Sequence, residues 1–129
     1  MKTALLFEPD AGLYDVLKLA LELDHFQVHT ILDEGSDFLE SINVLRPHVV
    51  LLDYKLSGEV SREICRKIKL KYPHLPVIAL SCNNNIHEIY DKHGFDDYIP
   101  KPFDLDLLYR ILRKHISTTQ DGYGNPSKS

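Results

Sequence analysis

Cysteine is scarce in this chain of 129 residues: Cys65 and Cys82 are the only two, and neither stands in a CxxC or Cys/His spacing that would hold zinc. Buried or idle thiols are the expectation. Of the seven histidines only His25 and His29 stand in an HxxxH spacing, and they flank the alternating, strand-like stretch Phe26-Gln27-Val28 rather than lie on a helical stripe, so no helix face carries two imidazoles for a metal. No apolar run approaches the roughly 20 residues a membrane span needs, and the first residues lack the charged-then-apolar pattern of a signal peptide. The chain is therefore expected in the cytoplasm, away from membranes. Basic runs are missing too, and a formal net charge of −4 argues against nucleic acid as a partner. There is no GxGxxG to cradle a dinucleotide.

What is present is ordered. The length fits one domain with a sizeable core, and 43% apolar with 26% charged residues is ordinary for a globular protein. Three continuous apolar runs, Ala4 to Phe7, Val49 to Leu52 and Val77 to Leu80, read as strands covered on both faces. Phe26 to Ile31 alternates instead, as a less covered strand would, and Asp97-Tyr98-Ile99 before Pro100 is a weaker fifth. Between them lie helical stripes: Leu13, Val16, Leu17, Ala20 and Leu21; then Phe38, Ile42 and Leu45; then Ile64, Ile68 and Tyr72. A short fourth helix is expected from about Ile86 to His93, after three asparagines. Leu108, Ile111, Leu112 and Ile116 mark a last one, capped by Asp104. Five strand–helix alternations predict a doubly wound five-stranded parallel sheet of order 2-1-3-4-5, a flavodoxin-like three-layer α/β/α fold. Residues 118–129 are polar, with Gly and Pro, and read as a disordered tail.

In that order the strand ends share one rim. Strand one ends in Glu8-Pro9-Asp10, strand three in Asp53, strand four in Ser81, and Lys101-Pro102 follows strand five. Singly, each has a bland reading as a turn or surface residue. Together, carboxylates from different strands crowd one another and call for a cation, which Lys101 supplies.

LLDYKLSG around Asp53, IALS ending at Ser81 and DDYIPKPF carrying Tyr98 and Lys101 resemble the receiver domain of bacterial two-component response regulators. The resemblance spans nearly all of residues 1–117. It implies that Asp53 is the phosphoacceptor, taking a phosphoryl group from a sensor histidine kinase or phosphotransfer protein. Lys101 would pair with the phosphoryl oxygens and Ser81 would donate a hydrogen bond to them. The move of Ser81 would let Tyr98 turn inward and present a new surface to a downstream protein. The Lys101-Pro102 peptide is expected to be cis. By the same resemblance the chain is not an enzyme but a single-domain regulator in a phosphorelay, and a homodimer is compatible with it. The resemblance also implies magnesium, held by Glu8, Asp53 and the backbone carbonyl of Lys55, with Asp10 as a further oxygen.

The pattern is broken at one point. The family ends its first strand in two acidic residues, the second a direct magnesium ligand, and that position is Pro9. Proline offers no side-chain oxygen, so magnesium binding is expected to be weak. Asp10 comes one position late and reaches back only if the loop bends, against the stiffness of proline. Lys55 either faces water or swings its ammonium over the acidic cluster in place of the ion, and Ser57 stands where a proline is common. A phosphorylation-independent scaffold of the same fold is the alternative function. A phosphohydrolase with an aspartate nucleophile would want a second Asp where Lys55 stands, and a flavodoxin-like phosphate cradle would be repelled by Glu8 and Asp10.

Overall fold

The apolar runs fold as strands because each is buried on both sides. In the computed structural model, which describes residues 2–31, 37–54, 59–82 and 86–116, ten elements alternate. They are β1 (Lys2–Phe7), α1 (Ala11–Leu23), β2 (Phe26–Thr30), α2 (Phe38–Leu45), β3 (Val49–Asp53), α3 (Glu59–Lys71), β4 (Val77–Ser81), α4 (Ile86–Ile89), β5 (Asp97–Pro100) and α5 (Leu105–His115). All strand pairs are parallel and the order is β2-β1-β3-β4-β5, as the alternation predicted. The expected Lys55 carbonyl and side chain, Ser57, the three asparagines and the polar tail lie outside the described residues.

The two-residue period of a strand divides the core. Ala4 and Leu6, Val49 and Leu51, Ile78 and Leu80, and Ile99 pack with Leu17, Ala20 and Leu21 of α1 and Leu108, Ile111 and Leu112 of α5. Their neighbours Leu5 and Phe7, Val50 and Leu52, and Val77 and Ala79 pack on the other side, with Phe38 and Ile42 of α2 and Cys65 and Ile68 of α3. β2 and β5 form the two edges, which is why their sequences are the least continuously apolar. Asp96 ties the β5 edge down: its Oδ2 accepts from Lys69 Nζ at 2.9 Å and from Val77 N at 2.8 Å. Cys65 is buried as expected; burial, helped by the charge of Asp96 and opposed by Lys69, pushes its thiol up to about 12. Among the described residues no helix is long and apolar enough to cross a membrane.

Two helix expectations need correction. Val16 is 46% exposed and lies off the apolar stripe of α1, which rests on Leu17, Ala20 and Leu21. α4 ends at Ile89 rather than near His93. The chain leaves it through a turn in which Phe95 N–H reaches the carbonyl of Tyr90, and Gly94 takes φ +93°, a conformation that glycine adopts without cost.

Candidate functional site

Strand parity and register assemble the site. Phe7 pairs with Leu52, so the next residues, Glu8 and Asp53, leave the sheet side by side. Both continue the row of Leu6 and Leu51 toward the α1/α5 side, and Lys101 continues the row of Ile99. The three charged side chains therefore meet over one face of the rim. Lys101 Nζ lies 2.5 Å from Asp53 Oδ1 and 2.7 Å from Glu8 Oε1. Glu8 and Asp53 are 6% and 3% exposed, so the ammonium neutralises two carboxylates that water scarcely reaches. The Lys101 N–H is fixed by the carbonyl of Ser81, and the Lys101-Pro102 peptide is cis, as expected.

Burial pulls the Lys101 amine down, but hydrogen bonds to Asp53 and Glu8 and their negative charge outweigh it and hold the amine above its ordinary 10.5. A base whose folded pKa is raised stabilises the fold fully below its unfolded value and loses that contribution as pH climbs through the folded one. Stability measured by urea unfolding is thus expected to fall once the pH passes about 10.5, and to fall less in Lys101→Arg, which keeps its charge there.

Asp10 goes elsewhere. Its Oδ1 accepts the N–H of Leu13 at 2.9 Å and caps α1, while its own N–H is held by Glu8 Oε2 at 3.1 Å. Glu8 thus spans the loop, with one oxygen on Lys101 and the other on the main chain beyond Pro9. Among the described residues no three His, Cys, Asp or Glu side chains form a cluster that would hold a metal ion. Ser81 closes β4 on the same rim, buried, in the row of Val77 and Ala79. Tyr98 lies on that side too, half-buried, its ring 5.0 Å from the ring of Tyr90.

Two contacts were not read from the sequence. Ser61 Oγ, on α3, donates to the main-chain carbonyl of Asp53 at 2.5 Å. Tyr54, the residue after Asp53, is bonded through its hydroxyl to His93 Nδ1 at 2.8 Å, stacks on that ring, and meets Phe95 edge-on. Burial, with the charges of Arg62 and Lys92, pushes His93 below its ordinary range, and burial pushes the Tyr54 phenol up against the opposing charge of Arg62. A Tyr beside Asp53 and a His just before the last strand were visible signals, but their pairing across 39 residues was not.

Residues 4–113 match the family model of the response regulator receiver domain. The chain belongs to the response regulator receiver domain family. It is 36% identical over 115 residues, 87% of this chain and 48% of that one, to the transcriptional regulatory protein CseB of Streptomyces coelicolor. The receiver domain of NtrX from Brucella abortus superposes with a TM-score of 0.74 at 27% identity, over 89% of this chain and 98% of that one. The receiver domain of a sensor histidine kinase from Pseudomonas aeruginosa PAO1, which holds a magnesium ion in its active-site cleft, shares the fold at 24% identity with a TM-score of 0.71, over 88% and 96% of the two chains. The chain spans 20 to 53% of the length of the curated relatives it matches. As a receiver domain it is a phosphoacceptor module of two-component signalling and not an enzyme.

Proposed function

We propose that this receiver domain accepts a phosphoryl group on Asp53 from a histidine kinase or phosphotransfer protein and turns that charge into a changed protein-binding surface. The observation that carries the reading is the contact of 2.5 Å between Lys101 Nζ and Asp53 Oδ1 in a basin from which water is largely excluded. A carboxylate oxygen of Asp53 attacks the phosphorus, the P–N bond to the donor imidazole breaks, and the bonding pair leaves on the nitrogen. Lys101 then follows the negative charge onto the phosphoryl oxygens, while Glu8 keeps hold of the amine and limits how far it moves. Ser81 donates its hydroxyl to the phosphoryl group, and Tyr98 turns into the space this opens.

Magnesium, when bound, would neutralise charge on the phosphoryl oxygens, with Asp53 and Glu8 as its side-chain oxygens and Lys55 offering a carbonyl. These residues fit the ion thinly. Pro9 gives no side-chain oxygen and the Asp10 carboxylate is engaged in capping α1, so weak affinity belongs to this reading. So do a receiver unit over residues 1–117 with a tail at 118–129, a cytoplasmic setting, a downstream protein partner rather than nucleic acid, and a second copy of the chain as one such partner.

Pro9 favours a second reading, a scaffold that binds partners without being phosphorylated. Intact mass after incubation with acetyl phosphate and magnesium separates the two. The expected result is a gain of one phosphoryl group, about 80 Da, that is absent in Asp53→Asn. No gain at any donor or magnesium concentration leaves the scaffold.

A further inference from the structure

The ladder between β1 and β3 stops where it would reach the phosphoacceptor. Its partners run from Ala4↔Val49 to Phe7↔Leu52, and one more step would set Glu8 beside Asp53. Val50 and Tyr54 give their N–H groups to the β4 side, to the carbonyls of Pro76 and Leu80, so the odd-numbered residues between them turn their main-chain groups toward β1. In a parallel pair such a residue donates to the carbonyl before its partner and accepts from the N–H after it. For Asp53 those groups belong to Phe7 and residue 9. Residue 9 is proline, which has no N–H to give.

The carbonyl of Asp53 is nevertheless satisfied. Ser61, 5% exposed and in the first turn of α3, sends its hydroxyl to that oxygen at 2.5 Å. On the other side of the same peptide unit, Tyr54 N–H reaches the carbonyl of Leu80 at 2.8 Å. Both polar groups of the Asp53–Tyr54 peptide are therefore held, one by β4 and one by α3.

We infer that the Ser61 hydroxyl replaces the ladder donor that Pro9 lacks, and that Ser61 is thereby a positioning residue for the Asp53 carboxylate. The inference rests on the reading of Asp53 as the phosphoacceptor. Without the hydroxyl, the carbonyl is left unpaired in a buried place unless the end of β3 shifts to admit water, and because Tyr54 N–H pins the same peptide to Leu80, that shift carries the Cα of Asp53 with it and moves the carboxylate relative to Lys101. A displacement near 1 Å at a reacting group is enough to cost about a hundredfold in rate.

A cycle of four full-length chains tests it: the native one, Ser61→Ala, Pro9→Ala, which returns an N–H to residue 9, and the double variant. In the native background Ser61→Ala is expected to lower the folding equilibrium constant in urea by roughly tenfold or more. It is also expected to slow phosphorylation by acetyl phosphate with magnesium by about tenfold. In the Pro9→Ala background both losses should shrink to within about twofold, and Ser61→Thr, which keeps the hydroxyl, should keep most of the rate. Equal losses in the two backgrounds overturn the inference, and so does an unchanged rate in Ser61→Ala. If Ser61→Ala alone does not fold, folding of the double variant supports the inference and its failure overturns it. Absence of phosphorylation in the native chain defeats the phosphoacceptor reading instead. The unfolding cycle and the 13C shift of the Asp53 carboxyl carbon then decide the role of Ser61: a shift that moves in Ser61→Ala and returns in the double variant supports it, and one that stays fixed overturns it.

Discussion

Lys101→Met is expected to destabilise the receiver domain by about 3–5 kcal/mol at neutral pH, the largest effect of any single substitution at the rim. The pair of contacts that Lys101 makes with Glu8 and Asp53 sits where both carboxylates are almost fully shielded. Methionine fills the same volume and brings no charge, so two like charges would be left facing each other with little solvent to screen them. Adding Glu8→Gln and Asp53→Asn should restore most of the lost stability at neutral pH, since a neutral trio has no charge to strand. Urea unfolding of these chains checks the argument. A Lys101→Met chain as stable as the native one would mean that the carboxylates are better hydrated than the structure places them.

Pro9→Asp is expected to tighten magnesium binding by roughly tenfold to a hundredfold, read by calorimetric titration. A carboxylate at residue 9 would add a hard oxygen to those of Asp53 and Glu8, and magnesium prefers such a set to an ammonium. Pro9→Ala is the control that separates side chain from backbone. It returns the N–H to the chain without adding an oxygen, so its affinity should stay near that of the native protein. An affinity unchanged in Pro9→Asp would show that residue 9 does not face the basin.

The sheet was legible in the residues because its strands are buried on both sides. Ala4 to Phe7, Val49 to Leu52 and Val77 to Leu80 have no polar interruption, and their short length between longer helical stripes marks them as covered strands. The meeting of Glu8, Asp53 and Lys101 followed from the strand order, since parallel strands deliver all their C-terminal ends to one edge. What escaped notice depends on facts that no local pattern holds. Asp10 offered an acidic side chain just before an apolar helical stripe, which is also the signature of a cap, and the backbone of α1 claimed it. Ser61 looks like any small polar residue at the start of a helix; its partner is fixed by ladder parity and by a missing N–H just beyond the end of β1. Val16 has the spacing of a core residue, but the apolar stripe of α1 is narrower than its pattern of apolar letters.

The division of side chains across the sheet has a consequence for how such a protein can diversify. Acid and amine work in the rows that continue toward α1 and α5, whereas Tyr98, Tyr54 and the turn before β5 lie behind the strands on the opposite side. Apart from the hydroxyl of Ser81, which ends β4 in the back row, the sheet acts as a partition between chemistry and conversation. A lineage can rewrite the back, and so change which protein listens, while the front goes on handling phosphate with the same few atoms.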